Sequence, residues 1–314
     1  MKKNIFAAVL AILAALIAAI YINHRICSDK ETPLLKEPIG QLVEVDGQHM
    51  NVYTEGSGDK TIVFMSGGGT SSPVLDFKSL YSVLSKEHTI VVVEKFGYGF
   101  SDEVDKERSI ESILEDTRAA LSAAGIKAPY ILCPHSMSGL EALYWAKTYP
   151  DEVSAVIGLD MAVPGHYDEM NINLPFLKLS QLSARLGLTR ILPGVSESDA
   201  IKYGTLTEQE KEIYRAVFFK RTLSVTMFNE MTSVKANAEK VKAAGIPEIP
   251  LLMFLSDGTG TGFGKSEWHE ISKKYAAQFD NAEVIELSCP HYVHDYEYDS
   301  IADTMCSFLA ELSP

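Results

Sequence analysis

Six short apolar runs, at 61–65, 89–93, 130–133, 153–159, 250–255 and 282–287, constrain this chain more than any other feature. Each is dense in Val, Ile and Leu, as expected of strands buried on both faces of a parallel sheet. Helix-sized segments lie between most of them. Residues 76–86, 109–124, 138–149, 266–279 and 299–312 carry apolar residues at three- and four-residue spacing. Strands and helices alternating in this way predict crossover units and an α/β fold with a mostly parallel sheet and helices on both faces.

Two segments break the alternation. Before the first run, "QLVEVDGQHMNVYTEG" alternates around Asp46-Gly47, the pattern of a hairpin with a tight turn. Between the fourth and fifth runs, residues 164–245 have helical periodicity and no convincing strand, and Thr207 and Glu210 stand at capping-box spacing. This stretch is expected to form a helical cap over one end of the sheet. The organisation is therefore an N-terminal segment at 1–29, a linker at 30–40, a core at 41–163 and 246–314, and a cap at 164–245.

The N-terminal segment has its own chemistry. Lys2 and Lys3 precede residues 5–22, which carry no charge. Eighteen helical residues span about 27 Å, close to the hydrocarbon thickness of a bilayer. A cleaved signal has a shorter apolar region and a small-residue cleavage site, and no Ala-x-Ala lies near the end of this run. An uncleaved single-pass anchor is the reading adopted, with secretion after cleavage as the alternative. The Lys2/Lys3 side is the more basic, which predicts an extracytoplasmic domain. A net charge of −14 disfavours a nucleic-acid partner. Four scattered cysteines do not form a disulfide framework.

The third run ends in a polar knot, "YILCPHSMSGLEALYW", before a helix begins. Ligands of open α/β sheets bind at the carboxyl ends of strands. A serine on a sharp strand-to-helix turn there has an exposed hydroxyl near a helix N-terminus. The competing reading is that Ser136 or Ser138 only caps the helix.

With "PHSMSG" stand "FMSGGGTSSP" at 64–73, "EKFGYGFSD" at 94–102 and "PHYVHDY" at 290–296. In these four segments, taken in their order along the chain, it resembles the α/β-hydrolase family from about Gln41 to Leu312. The resemblance implies a nucleophile elbow at Ser136, an oxyanion loop in "SGGG", and a catalytic base in the final motif. Pro134 and Ser138 stand where that family usually has glycine. The resemblance makes His291 the base, with His294 as the alternative. It points to Asp257, the sole carboxylate of "LLMFLSDGTGTGFG", as the acid, with Asp160 in "VIGLDMAVP" as the alternative. Backbone N–H groups of Gly68 and Met137 are the expected oxyanion donors. Acyl transfer by serine needs no cofactor, and His-x-x-His-Asp lacks the further ligands of a metal site.

The implied activity is serine hydrolysis of an ester, thioester or amide of a small acyl substrate. Two alternatives stand beside it. One is an iminopeptidase-like peptidase, which needs carboxylates in the cap to hold a substrate amine, with Glu208, Glu210 and Glu212 as candidates. The other is a non-catalytic binding protein that keeps the fold.

Overall fold

The computed structural model describes residues 2–312. Eight strands form one sheet: β1 (Gln41–Val45), β2 (Gln48–Glu55), β3 (Thr61–Met65), β4 (Thr89–Glu94), β5 (Tyr130–Pro134), β6 (Val153–Leu159), β7 (Leu251–Leu255) and β8 (Ala282–Glu286). Their spatial order is β1-β2-β4-β3-β5-β6-β7-β8. The first two strands are antiparallel, joined through Asp46 and Gly47, which both take positive φ, and β3 to β8 run parallel. Positive φ at both turn residues is what a two-residue hairpin demands.

The helices, in chain order, are α1 (Lys2–Glu31), α2 (Pro73–Asp76), α3 (Lys78–Leu84), α4 (Ile110–Ala123), α5 (Gly139–Thr148), α6 (Leu174–Arg185), α7 (Asp199–Lys202), α8 (Glu208–Arg221), α9 (Val225–Ala244), α10 (Lys265–Ala276), α11 (Val293–Tyr296) and α12 (Tyr298–Glu311). Side chains alternate across the strands and feed two cores. Val63, Val91, Leu132 and Val156 pack with Leu114, Leu140 and Trp145 of α4 and α5. Ile62, Val92, Ile131 and Ile157 pack on the other face with Leu80, Ile301 and Met305 of α3 and α12. Both faces being covered explains why these strands read as continuous apolar runs. β8 differs, because it forms the sheet edge and is only partly buried.

One segment differs from expectation. Residues 30–40 are not a plain linker: α1 continues to Glu31, and a 3₁₀ turn, Thr32–Leu35, follows it. Pro33 sits at the start of that turn, where its missing N–H costs nothing. The segment between β6 and β7 is all helical, as its periodicity suggested, and is joined to the sheet layer by buried polar contacts. Lys95, after β4, reaches Glu141 of α5 at 2.6 Å and Glu230 of α9 at 2.5 Å, with the Tyr98 hydroxyl 3.1 Å from Glu230. Burial alone would pull the Lys95 ammonium down, but the two carboxylates outweigh it and hold its pKa above the ordinary range.

Candidate active site

The chain leaves β5 at Pro134 and turns sharply. Ser136 takes φ +54°, a left-handed conformation that a serine holds only when its surroundings impose it. The tightness of the turn is visible in its neighbours. A Cβ at Gly67 would lie 2.7 Å from the Ser136 Cβ, and one at Gly139 would lie 2.2 Å from the Ala162 carbonyl oxygen. The departure at Ser138 has a compensation: its buried hydroxyl donates to the Met65 carbonyl at 2.6 Å and accepts from His135 N–H at 3.1 Å. It thereby ties the turn to the end of β3. Pro134 is the last residue of β5, and His135 resumes the ladder by donating to Met65.

Ser136 opens on a cavity of about 440 Å³. Gly68, Met137 and His291 line it together with His166, Phe263 and Trp268, and Met170, Phe176, Leu177 and Val234 close it from the helical insertion. Among the described residues lining it there is no Asp, Glu, Lys or Arg. Gly68 lies against Met137, whose Cε would be 2.8 Å from any Cβ at position 68. A side chain at position 68 would therefore have to displace the flexible Met137 thioether. Met137 itself lies in the first turn after Ser136, where N–H groups point out of a helix end.

The carboxylate beside His291 is Asp160. Its Oδ2 lies 2.5 Å from His291 Nδ1, and its Oδ1 accepts from Trp268 Nε1–H at 2.7 Å and from Ser256 N–H at 2.8 Å. Asp160 is wholly buried, follows the end of β6 directly and takes φ +46°. Because a carboxylate only accepts, His291 carries its proton on Nδ1 and keeps a lone pair on Nε2. Asp257 is elsewhere. Its carboxylate accepts from the Thr259 N–H at 2.9 Å in a short turn, and that bond holds its pKa below the usual range. The preference for Asp257 as the His291 partner is corrected by this geometry. β6 and β7 are sheet neighbours, so either strand end lies near His291, and the path of each turn decides which carboxylate reaches it.

His294, the alternative base, lies off the cavity. It is fully buried, and Nε2 donates to Asp76 Oδ2 at 3.1 Å. His135 is also buried; its Nε2 donates to the His291 carbonyl at 3.1 Å, and its ring lies 4.6 Å from that of His291. Burial first, then the two neighbouring imidazoles, hold His135 well below the ordinary histidine value, so it is a neutral packing residue.

Two cavity residues had no motif to announce them. Trp268 on α10 donates its indole N–H to Asp160, and His166 stacks on it with ring centroids 3.9 Å apart. His166 Nδ1 accepts from Val163 N–H at 3.0 Å, and burial pushes its pKa down to about 4. A lone acidic residue following a seven-residue apolar strand was the available signal for Asp160; nothing in the sequence marked Trp268.

Among the described residues, the donor clusters that could hold a metal are Asp76/His294/Asp295 and Glu87/His88/Cys306, each with ligand atoms within 4.8 Å of one another. Three donors fall one short of a closed tetrahedral structural site. Burial, then the charges of Asp76 and Asp199, push Asp295 well above the usual carboxylate range, which suits a protonated acid.

The peptidase candidates are scattered over the surface of α8. Glu208 pairs with Lys211, and Glu210 with Lys78 at 2.5 Å. Neither they nor Glu212 line the cavity.

Comparison with known proteins places this fold. A family model described as alpha/beta hydrolase fold matches residues 60–186. The uncharacterized protein YbdG of Bacillus subtilis (strain 168) is 37% identical over 317 residues, covering 99% of this chain and 97% of that protein. The chain belongs to the α/β-hydrolase family. Among solved structures, a putative ancestral haloalkane dehalogenase, AncHLD2, is similar with a TM-score of 0.65 and 20% identity, over 87% of this chain and 99% of that one. The enol-lactonase from Burkholderia xenovorans LB400 is similar with a TM-score of 0.62 and 17% identity, over 86% and 100%. At such identities the likeness concerns the fold. In this α/β-hydrolase the chemistry must be argued from Ser136 and its neighbours.

Proposed function

We propose that the chain is a serine hydrolase that cleaves a small, uncharged acyl ester through an acyl-enzyme. The observation that carries this reading is His291, held from behind by the buried Asp160, sharing one cavity with a serine on a strained strand-to-helix turn. His291 Nε2 takes the proton of Ser136 Oγ as that oxygen bonds to the substrate carbonyl carbon. The negative charge on the carbonyl oxygen is met by the N–H groups of Met137 and Gly68. Collapse expels the alcohol, which leaves with the proton held by His291. Water then attacks the acyl-serine by the same route, releasing the carboxylic acid and restoring Ser136. Asp160 keeps the imidazole in the required tautomer and stabilises its charged form.

The apolar lining, free of fixed charge, favours an acyl group over a peptide with a free amine, and Glu208, Glu210 and Glu212 offer no amine site at the cavity. α1, long and apolar enough to cross a bilayer, is read as the membrane anchor. The test is p-nitrophenyl butyrate turnover by the wild type, Ser136→Ala and His291→Ala. Turnover with a pre-steady-state burst in the wild type, lost in both variants, is expected. Equal turnover in Ser136→Ala, or prolyl-naphthylamide as the better substrate, would overturn the reading.

A further inference from the structure

The insertion carries an apolar face that nothing among the described residues covers. On α6, Phe176 (67% exposed), Leu179 (62%) and Leu182 (53%) recur at three-residue spacing on the outer side, while Leu177 and Ala184 turn inward. Ile191 and Leu192, each 56% exposed, continue the face just past the end of the helix. Their position relative to α1 is fixed by Arg190. Its guanidinium donates to Glu31 at 2.6 and 2.7 Å and to His24 Nδ1 at 2.8 Å, and stacks 4.0 Å from the Phe219 ring. Gly187 abuts the same His24, leaving no room for a side chain.

The uncharged stretch of α1 ends at Ile22, two residues before His24. The point at which Gly187 and Arg190 meet α1 therefore lies two residues, about 3 Å along the helix axis, past the uncharged stretch, and Ile191 follows Arg190 directly. Charge agrees with this placement. In a protein of net charge −14, residues 174–192 contain no Asp or Glu, and Lys178 and Arg185 flank the face while Arg190 is engaged by Glu31. An apolar helix face flanked by basic residues is the composition of a segment lying in the headgroup layer. The same helix is also a wall of the active cavity, with the buried Leu177 lining it from within and the exposed Phe176 at its edge.

We propose that the face formed by α6 and Ile191–Leu192 rests in the surface of the membrane that α1 crosses, and that the cavity takes acyl esters of lipids directly from that membrane. This deepens the hydrolase and anchor readings and rests on both. A lipid ester moving from the bilayer past Phe176 would keep its acyl chain against apolar side chains throughout, avoiding the cost of about 0.8 kcal/mol per methylene for crossing water. The reaction remains hydrolysis: one water is consumed, and a fatty acid and an alcohol leave.

The test uses the full chain reconstituted in phosphatidylcholine–phosphatidylglycerol vesicles. The native tryptophans, Trp145 and Trp268, are 0% and 2% exposed, so a new surface tryptophan dominates quenching by brominated lipid. Leu182→Trp fluorescence is expected to fall at least twofold in brominated vesicles, while Glu283→Trp, on the edge strand β8, stays unquenched. The triple variant Leu179→Ser/Leu182→Ser/Ile191→Ser is expected to keep p-nitrophenyl butyrate turnover within twofold and to lose at least tenfold on vesicle-embedded monooleoylglycerol. Leu182→Trp quenched no more than Glu283→Trp overturns the docking, and equal loss on both esters overturns the link to substrate. A wild type inactive on both esters, together with quenched Leu182→Trp, overturns the hydrolase reading and the lipid-substrate claim, and leaves the docking standing. Carbonate extraction of the wild type tests the anchor separately.

Discussion

Replacing Asp160 by asparagine separates the roles of two carboxylates that look equally plausible in the sequence. The side-chain oxygen of the introduced amide can still accept from Trp268 and Ser256, so two of the three bonds to this group survive. The third does not, because an amide NH₂ facing the Nδ1–H of His291 is donor against donor. The imidazole responds by moving its proton to Nε2, where it can no longer accept from Ser136. In serine hydrolases with this constellation the wrong tautomer costs about 10⁴ in rate, or about 5.5 kcal/mol at 1.36 kcal/mol per tenfold. Folding stability should fall by only about 1.5–3 kcal/mol, the worth of one charge-assisted bond. Asp257→Asn is the control. Its carboxylate accepts only a local N–H, so kcat/KM should stay within twofold. Both are read from p-nitrophenyl butyrate kinetics, with circular dichroism and urea unfolding to establish folding. A folded Asp160→Asn within tenfold of wild type, or an Asp257→Asn that loses the activity, would refute the reasoning.

Three further outcomes follow from the same coordinates. Lys95→Met leaves Glu141 and Glu230 buried without their shared cation, and urea unfolding should register a loss of about 3–5 kcal/mol. Gly67→Ala puts a methyl group 2.7 Å from the Ser136 Cβ; the turn must shift, and kcat/KM should drop at least tenfold by steady-state assay while the protein remains folded. His166 has a depressed pKa of about 4, so the folded state takes up its proton at lower pH than the unfolded chain does. The stability this confers is complete above about pH 6.5 and is lost as pH falls towards 4, by up to about 1.4 kcal/mol per pH unit, and His166→Gln should remove that component of the slope in urea midpoints measured at pH 7, 6 and 5.

Much of the fold was legible because burial leaves a local signature. β3 and β6 are bounded as their Val- and Ile-rich runs suggested, and Asp46-Gly47 forms the tight turn its residues demand. Ser136 and His291 stood out because each sits beside residues whose order is itself informative. Asp160 is harder to read from the sequence than Asp257, because its contact spans 131 positions and depends on the turn after β6, which no local pattern encodes. Trp268 lay hidden for a related reason: an apolar residue on α10 reads as core until its N–H is seen on a carboxylate. The helical continuation through Glu31 was also obscured. The stretch around its end is mixed in charge and interrupted by proline, and it is held by Arg190, 159 positions away.

The central claim is that one hydroxyl, Ser136, is made nucleophilic by His291. The most direct measurement is reaction of the folded full-length protein with a fluorophosphonate, followed by mass mapping of the modified peptide. A single adduct on Ser136, absent in Ser136→Ala and formed at least a hundredfold more slowly in His291→Ala, is expected. No adduct on a folded wild type, an adduct at another residue, or an unchanged rate in His291→Ala would contradict the account.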